Sequence, residues 1–448
     1  MFIEKLSVEN FKLFRKETFV FNQRFSLIIG INGVGKTSVL EAAAVALGGY
    51  LAAFEGIKGR NIYTEDIRRD YRRLGDATVT KEPQVPVVVE CTGTMNGQRL
   101  SWKRVRDKVV NGRTLRQHAK EVLRLGEAMQ QDVRSGNQKA VLPVLSYQSA
   151  GRLFSQKKDR WYNPFAKDEL SRFLGYTDCL DTESDIKLFG NWIKKMTQIQ
   201  IQKNKKIGEL HAVLGAVSQF MTLMSDDGKE LSLYFDLEEN ETMIELGDSH
   251  SIPLRKMSAG YRSIIGMVAE IAFRMAILNP QLKEQAVQLT PGVVLIDEID
   301  LHLHPKWQWK IVEALKMTFP KVQFIATTHA PIVIASCREG ELLEIARTDD
   351  PHDVEQTTKS TPFGWSIEDI LTEIMNTKNR APEVASKIDR IERLYLRSLQ
   401  GKLAAAEEHE LGSLSKELYR LLPQGDPVVT MAKIRAIGEE VKGESSDG

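Results

Sequence analysis

The sequence predicts an α/β protein whose central sheet is parallel and covered by helices. In the second half of the chain, predicted helices and strands alternate: helix 259–276, strand 293–296, helix 305–317 and strand 322–327. Such alternation is typical of parallel sheets, because parallel strands need helical crossovers. In the first half, three strand-like segments end at Gly30, and the apolar pattern then becomes helical through 37–47.

The composition is that of an ordinary globular protein. The chain has 448 residues, of which 42% are hydrophobic and 27% charged, so it can form two or three domains. No apolar run approaches the ~18–20 residues that span a bilayer, and the first residues show no signal-peptide pattern. Three widely separated cysteines suggest neither a disulfide framework nor a zinc knuckle. We therefore expect a cytoplasmic protein without a membrane partner.

Local patterns predict the remaining elements in order. The early segments are strands at 2–9, 18–21 and 25–30, a loop at 10–12, strands at 85–94 and 99–105 joined by an Asn96-Gly97 turn, a helix near 115–134 and a strand at 140–147. Residues 185–224 are mostly helical, but their apolar repeat is too short for a coiled-coil arm. A hairpin follows at 231–237 and 242–246, and a capping box at Ser366–Asp369 opens helices that continue to about 441.

The phosphate loop is the clearest motif. Residues 30–37 read G-x-x-x-x-G-K-T between a strand and a helix, which is the context that the motif requires. Backbone N–H groups and the start of the helix would surround phosphates. Lys36 would reach the β- and γ-phosphates, and Thr37 would ligate Mg²⁺, so the predicted cofactors are ATP and Mg²⁺. The residues predicted to contact the nucleotide here are Gly30, Asn32, Gly33, Gly35, Lys36, Thr37 and Ser38.

A second motif supplies carboxylates. The apolar strand 293–296 ends in Asp297 and Glu298. Asp297 is predicted to hold Mg²⁺, and Glu298 to polarise the water that attacks the γ-phosphate. Adjacent acids after a strand occur by chance, but together with the phosphate loop they predict an ATPase site.

Further motifs indicate the class of ATPase. Ser258 and Gly260 lie at the N-terminus of the predicted helix 259–276 and could donate hydrogen bonds to a γ-phosphate. An ordinary Ser-capped helix is the alternative. His329 closes the strand that follows Asp297. The stretch 300–304 contains His302, His304 and an aspartate, which could form a metal site; a loop that contacts a partner head is the preferred interpretation.

These segments resemble known families. Residues 257–262 resemble the ABC signature, with departures at three positions. His329 resembles the switch histidine, which implies that it acts in catalysis together with Lys36 and Glu298. The opening segment 8–12, the phosphate loop and 297–307 resemble RecF/SMC-related ATPases. More narrowly, 145–153 and 296–308 resemble a bacterial family of ATP-binding proteins that overlaps the PtuA-like ATPases of anti-phage systems.

The resemblance implies an ABC-type ATPase head at 1–345, with a basic insertion at about 51–139, a helical lobe at about 165–225 and a C-terminal helical region at 346–448. It implies heads that form homodimers or larger homo-oligomers around ATP, Ser258 and Gly260 acting on the partner's nucleotide. It also implies a separate effector such as a nuclease, since the chain shows no nuclease motif. Gln148 would sense Mg²⁺ and γ-phosphate, while Lys12 and Arg15 would contact the nucleotide.

Two other functions share these motifs. A RecF-like DNA-repair ATPase would carry the same head, and a scaffold could use ATP mainly as a structural ligand. Intact Glu298 favours turnover over the scaffold.

The charge distribution suggests a further partner. Residues 57–160 contain 22 Lys and Arg against 11 Asp and Glu, although the whole protein has a net charge of only +1. The basic clusters are Arg68-Arg69 with Arg72-Arg73, Lys103-Arg104 with Arg106 and Lys108, and Lys157-Lys158 with Arg160. Tyr71, Trp102 and Trp161 are interleaved with them. A local basic surface of this kind suits DNA or RNA; pairing with acidic segments of the fold or of a partner is the alternative.

Overall fold

The computed structural model describes residues 1–73, 79–151, 171–181, 186–226, 231–246, 250–348, 354–357 and 361–427. The chain divides into two compact units, Met1–Ser366 and Ile367–Gly448. Within the described residues, no helix combines the length and the apolar character needed to cross a bilayer.

The strands are, in chain order, β1 (Phe2–Phe11), β2 (Phe14–Val20), β3 (Phe25–Ile29), β4 (Arg69–Arg73), β5 (Val79–Pro83), β6 (Val87–Met95), β7 (Gln98–Arg106), β8 (Val144–Gln148), β9 (Leu231–Asp236), β10 (Glu241–Leu246), β11 (His250–Pro253), β12 (Gly292–Ile296), β13 (Val322–Thr327), β14 (Leu342–Arg347) and β15 (Val354–Thr357). The α-helices are α1 (Lys36–Leu51), α2 (Lys120–Arg134), α3 (Ile186–Lys203), α4 (Gly208–Met224), α5 (Ala259–Leu278), α6 (Ala286–Leu289), α7 (Pro305–Gln308), α8 (Ile311–Thr318), α9 (Pro331–Ala335), α10 (Ile367–Asp369), α11 (Pro382–Leu399) and α12 (Ala405–Leu421).

The first unit is built on a six-stranded sheet in the order β15-β14-β3-β13-β12-β8. Its strands are parallel except for β15, which pairs antiparallel with β14. Every residue of β3, β8, β12 and β13 is buried, as expected for parallel strands covered on both faces. The predicted α/β class is confirmed. The predicted boundary after residue 345 differs from the observed division because β14 and β15 complete this sheet.

A second, antiparallel sheet has the order β2-β1-β6-β7. The predicted Asn96-Gly97 turn joins β6 to β7, with φ of 48° and 76° at its two residues, the positive angles of a type I′ turn. The buried Gln323 amide links this sheet to the first: it donates to Ile3 O and accepts from Ile3 N, both at 2.7 Å.

The lobe before the signature segment contains α3, α4 and a three-stranded sheet, β11-β10-β9. Of this sheet, the sequence predicted only the hairpin formed by β9 and β10. The third strand, β11, pairs with β10 and runs directly into the segment that begins α5, while α4 packs on α5. The lobe is thus attached to the helix that carries Ser258.

In the second unit, α11 and α12 form an antiparallel pair. Their ion pairs run in opposite directions along the two helices, from Lys387–Glu417 through Arg390–Glu410 to Arg397–Glu407. The apolar core between them consists of Ile388, Ile391, Leu394, Leu411 and Leu418. The predicted capping box precedes α10, which continues as a π-helix at Ile370–Ile374.

Candidate active site

Residues from distant parts of the chain line one cavity of about 300 Å³. Their strands β3, β12 and β13 are neighbours, so the loops at the strands' carboxyl ends meet at one edge of the sheet. The predicted residues that line the cavity are Asn32, Gly33, Gly35, Lys36, Thr37, Ser38, Asp297, Glu298 and His329; Leu13 and Thr327, which were not predicted, complete it.

Backbone geometry shows why the phosphate loop needs its glycines. Gly35 has φ of 106°, and a Cβ there would lie 2.7 Å from the Phe14 ring. Gly30 has φ of 149°, and its Cβ would collide with the carbonyl oxygen of Ile345. The loop can therefore approach phosphate oxygens closely with its backbone, followed at once by the N-terminus of α1.

Lys36 is the buried cation of the cavity. Its Nζ donates to Gly30 O at 2.9 Å and to Ile31 O at 3.2 Å. Burial lowers the pKa of this ammonium group, while Asp297 and Glu298 act in the opposite direction. An ammonium group held over the loop suits a bound anionic phosphate.

Oxygen ligands for a hard cation lie beside it. Thr37 Oγ1 is 3.1 and 3.0 Å from the two carboxylate oxygens of Asp297, and Thr327 Oγ1 donates to Asp297 Oδ1 at 2.6 Å. Hydroxyl and carboxylate oxygens are the donors that Mg²⁺ prefers. The donor set, the glycine cradle and Lys36 together fit ATP with Mg²⁺.

The loop after β12 holds Glu298 in an uncommon conformation. Glu298 has φ of 49°, and its backbone N–H donates to Thr327 Oγ1 at 2.8 Å. Thr327 therefore fixes both acids at once. The sequence analysis placed Thr327 only at the end of a strand. The signal for its role was that this polar residue closes an apolar strand, as Asp297 and Glu298 do for the neighbouring strand β12.

His329 faces the same cavity. Burial and the nearby Lys36 lower the pKa of its imidazole, although the surrounding carboxylates partly oppose this. The lowered pKa favours the neutral imidazole, which can both accept and donate a hydrogen bond. Thr328 stabilises the turn, since its hydroxyl donates to Asp300 and accepts from Ala330 N at 3.0 Å.

Several predicted nucleotide contacts do not lie on the cavity. The amide of Gln148, although at the end of β8, is buried and donates to Ser146 Oγ at 2.8 Å. Lys12 forms an ion pair with Glu41 of α1 and lies 3.9 Å from Asp66. Arg15 is exposed on β2. Short-range sequence patterns could not reveal these competing partners.

The signature segment is also outside the residues that line the cavity. Ser258 is exposed at the N-cap position of α5, but its side chain makes no capping hydrogen bond. A Cβ at Gly260 would lie 2.6 Å from His302 O, so the start of this helix contacts the loop after β12. The next residue, Tyr261, packs edge-on against Trp307, with ring centroids 4.7 Å apart.

The metal-site alternative for the loop 300–304 gains no support. Among the residues that the structure describes, no group of three or more His, Cys, Asp or Glu side chains is arranged to hold a metal ion. Asp300 instead accepts a hydrogen bond from Thr328.

The structure corrects part of the basic surface predicted for 57–160. Arg68, Arg104, Arg106 and Trp102 are all buried. Trp102 Nε1 donates to Ala46 O at 2.9 Å, and Arg106 donates to backbone carbonyls at 2.8–3.0 Å. These residues stabilise the insertion because long cationic side chains can satisfy several buried acceptors. The predicted cluster containing Lys157, Lys158, Arg160 and Trp161 lies outside the described residues.

One basic residue near the phosphate loop was missed. Arg347, at the end of β14, donates to Gly33 O at 3.3 Å. The sequence carried no signal for this contact, since it depends on β14 lying next to β3.

Comparisons with known proteins match this chain to ATPase domains and to proteins named as ATPases. One AAA-domain family matches residues 5–222, and a second, described as an AAA domain and putative AbiEii toxin of a type IV toxin–antitoxin system, matches residues 152–335. The "Retron Vc95 probable ATPase" of Vibrio cholerae is 26% identical over 88% of this chain and 84% of that protein. The "Septu protein PtuA" of Bacillus thuringiensis is 28% identical over 46% of this chain and 50% of that protein.

Solved structures of SMC heads also align with this chain. An SMC head bound to the C-terminal winged-helix domain of ScpA has 18% identity and a TM-score of 0.48, over 80% of this chain and 98% of that chain. The SMC head of Thermotoga maritima has 17% identity and a TM-score of 0.41, over 80% and 100%. From the family and sequence matches, this chain contains regions that match AAA-type P-loop ATPase domains, and it is similar to retron ATPases and to Septu PtuA proteins.

Proposed function

We propose that two copies of this chain hydrolyse ATP in composite sites, each formed by the phosphate loop of one head and the signature segment of the other. The observation that carries the proposal is the position of Ser258 and Gly260. Both lie at the N-terminus of the 20-residue helix α5, a good anion site, yet neither is among the residues that line the ATP cavity. A second copy can bring its own helix to that cavity.

The residues divide the chemistry between them. Lys36 and the loop backbone bind and orient the phosphates, and Thr37 with Asp297 would hold Mg²⁺. Bound Mg²⁺ would neutralise charge that develops on the phosphates. Glu298 accepts a proton from, or orients, the attacking water, and neutral His329 positions that water or a phosphate oxygen. Ser258 and the Gly260 N–H of the partner add hydrogen-bond donors.

A mixing experiment tests the composite site. Lys36→Ala and Ser258→Arg proteins should each lack ATPase activity. When mixed, they should regain part of it, because a mixed dimer contains one site with an intact loop and an intact signature. A mixture as inactive as its components, despite demonstrated subunit exchange, would contradict the proposal.

Light scattering provides an independent measurement. Glu298→Gln should slow hydrolysis and retain bound ATP, so its molar mass should double when ATP and Mg²⁺ are added. Adding Ser258→Arg to the same protein should abolish the doubling. If the molar mass does not change when ATP is added, and the Ser258→Arg protein retains full ATPase activity, the dimer model is wrong.

We also propose that this ATPase is the regulatory component of an anti-phage defence complex with a separate effector such as a nuclease. The homology to retron ATPases and Septu PtuA supports this assignment. The measurement is co-purification of the chain with the product of a neighbouring gene, followed by phage challenge of cells carrying both genes, either gene alone, or Glu298→Gln. Full protection by this chain alone would refute the separate effector.

A further inference from the structure

The two-stranded ribbon β4–β5 has two chemically different faces. Antiparallel pairing places Tyr71 opposite Lys81, and Asp70 opposite Glu82. Because side chains alternate along a strand and opposed residues share a face, Arg69, Tyr71 and Lys81 lie on one face. Asp70, Arg72, Thr80 and Glu82 lie on the other. Both acids of the ribbon's described residues are therefore on the second face.

The first face is accessible, and its cations lack carboxylate partners among the described residues. Tyr71 is 63% exposed, and Arg69 and Lys81 are also exposed. Within the part of the chain that the structure describes, neither cation has a carboxylate partner. On the second face, in contrast, Asp70 pairs with Arg68 at 2.7 Å.

The arrangement of the aromatic ring is the specific feature. Lys81 Nζ lies 5.7 Å from the centroid of the Tyr71 ring, within cation–π range. The ring thus stands on a surface ribbon with cations beside it, whereas Trp102 of the same insertion is buried. Exposed aromatic rings between cations are the stacking platforms of proteins that bind single-stranded nucleic acids.

We propose that the Arg69–Tyr71–Lys81 face binds single-stranded nucleic acid, with a base stacked on Tyr71 and phosphates beside Arg69 and Lys81. An acidic protein surface would use the cations but would gain little from the ring. A regular duplex would offer phosphates but no unstacked base. The exposed tyrosine therefore favours a single strand over both.

The test uses the full chain and fluorescence anisotropy with labelled oligothymidylate, oligouridylate and a DNA duplex. Tyr71→Ala should weaken single-strand binding roughly 5- to 100-fold, the range for removal of one stacked base, while Tyr71→Phe should bind like the native chain. Lys81→Ala should weaken binding and reduce the slope of log affinity against log salt by about 0.7 for each phosphate that is no longer neutralised. The two single strands distinguish DNA from RNA.

Arg72→Ala is the matched control, since it removes one positive charge from the same ribbon but from the opposite face. It should change affinity much less than Lys81→Ala. Thermal unfolding and ATPase activity should be unchanged in all four variants, because none of these side chains is buried. Three results would overturn the proposal: unaltered binding by Tyr71→Ala, equal weakening in Arg72→Ala and Lys81→Ala, or preference for the duplex.

Discussion

Replacement of Thr327 by valine tests how Asp297 and Glu298, the two acids of the proposed ATPase site, are held. The substitution keeps the shape of the side chain but removes the hydroxyl that donates to Asp297 at 2.6 Å and accepts from the Glu298 N–H at 2.8 Å. We expect Thr327→Val to bind ATP but to hydrolyse it slowly, because Asp297 and the strained Glu298 backbone lose their common anchor.

The magnitude follows from these two hydrogen bonds. A hydrogen bond to a charged group contributes about 1.5–3 kcal/mol, and a buried N–H left without a partner costs about 1–3 kcal/mol. Since the contributions are not additive and the N–H is only partly buried, the free energy of unfolding should fall by about 3 kcal/mol. A displacement of Glu298 by about 1 Å would lower kcat on the order of 100-fold.

The assays are steady-state ATP hydrolysis and denaturant unfolding without nucleotide. Thr327→Ser retains the hydroxyl and is the control: its kcat should stay within a few-fold of the native value. A Thr327→Val protein with native kcat and native unfolding free energy would refute the anchoring role. A loss of stability with native kcat would show that the hydroxyl supports the fold alone.

Three further predictions concern the same unit. Gly260→Ala should lower ATPase activity and stability because its Cβ would lie 2.6 Å from His302 O. Gly266→Ala is the control: it lies in open space on α5 and should stabilise the helix by up to about 1 kcal/mol. Equal effects of the two substitutions would contradict the close approach of Gly260 to His302. Lys36→Ala should abolish the rise in melting temperature caused by ATP, and an unchanged rise would refute the phosphate contact. NMR titration of His329 without nucleotide should give a pKa below the ordinary histidine value of 6.5. At pH values between the folded-state pKa and 6.5 the unfolded state binds more protons, so the free energy of unfolding should rise with pH. His329→Gln should reduce that slope.

The sequence alone determined the elements and motifs whose information is local. The strand at 322–327 and the Asn96-Gly97 turn were predicted at their observed positions, since apolar patterning and turn chemistry act over a few residues. The phosphate loop was likewise predictable, because its spacing between a strand and a helix is itself the binding geometry.

The tertiary structure decided every feature that depends on distant residues. The pairing of β13 with β3 on one side and β12 on the other brings 297–298 and 329 to the phosphate loop, and no local pattern encodes that strand order. The same packing turns Lys12 toward Glu41, buries Arg104 and Arg106, and leaves Tyr71 exposed. A sequence records which side chains carry charge or a ring, but their exposure and partners are fixed only when segments that are distant along the chain pack together.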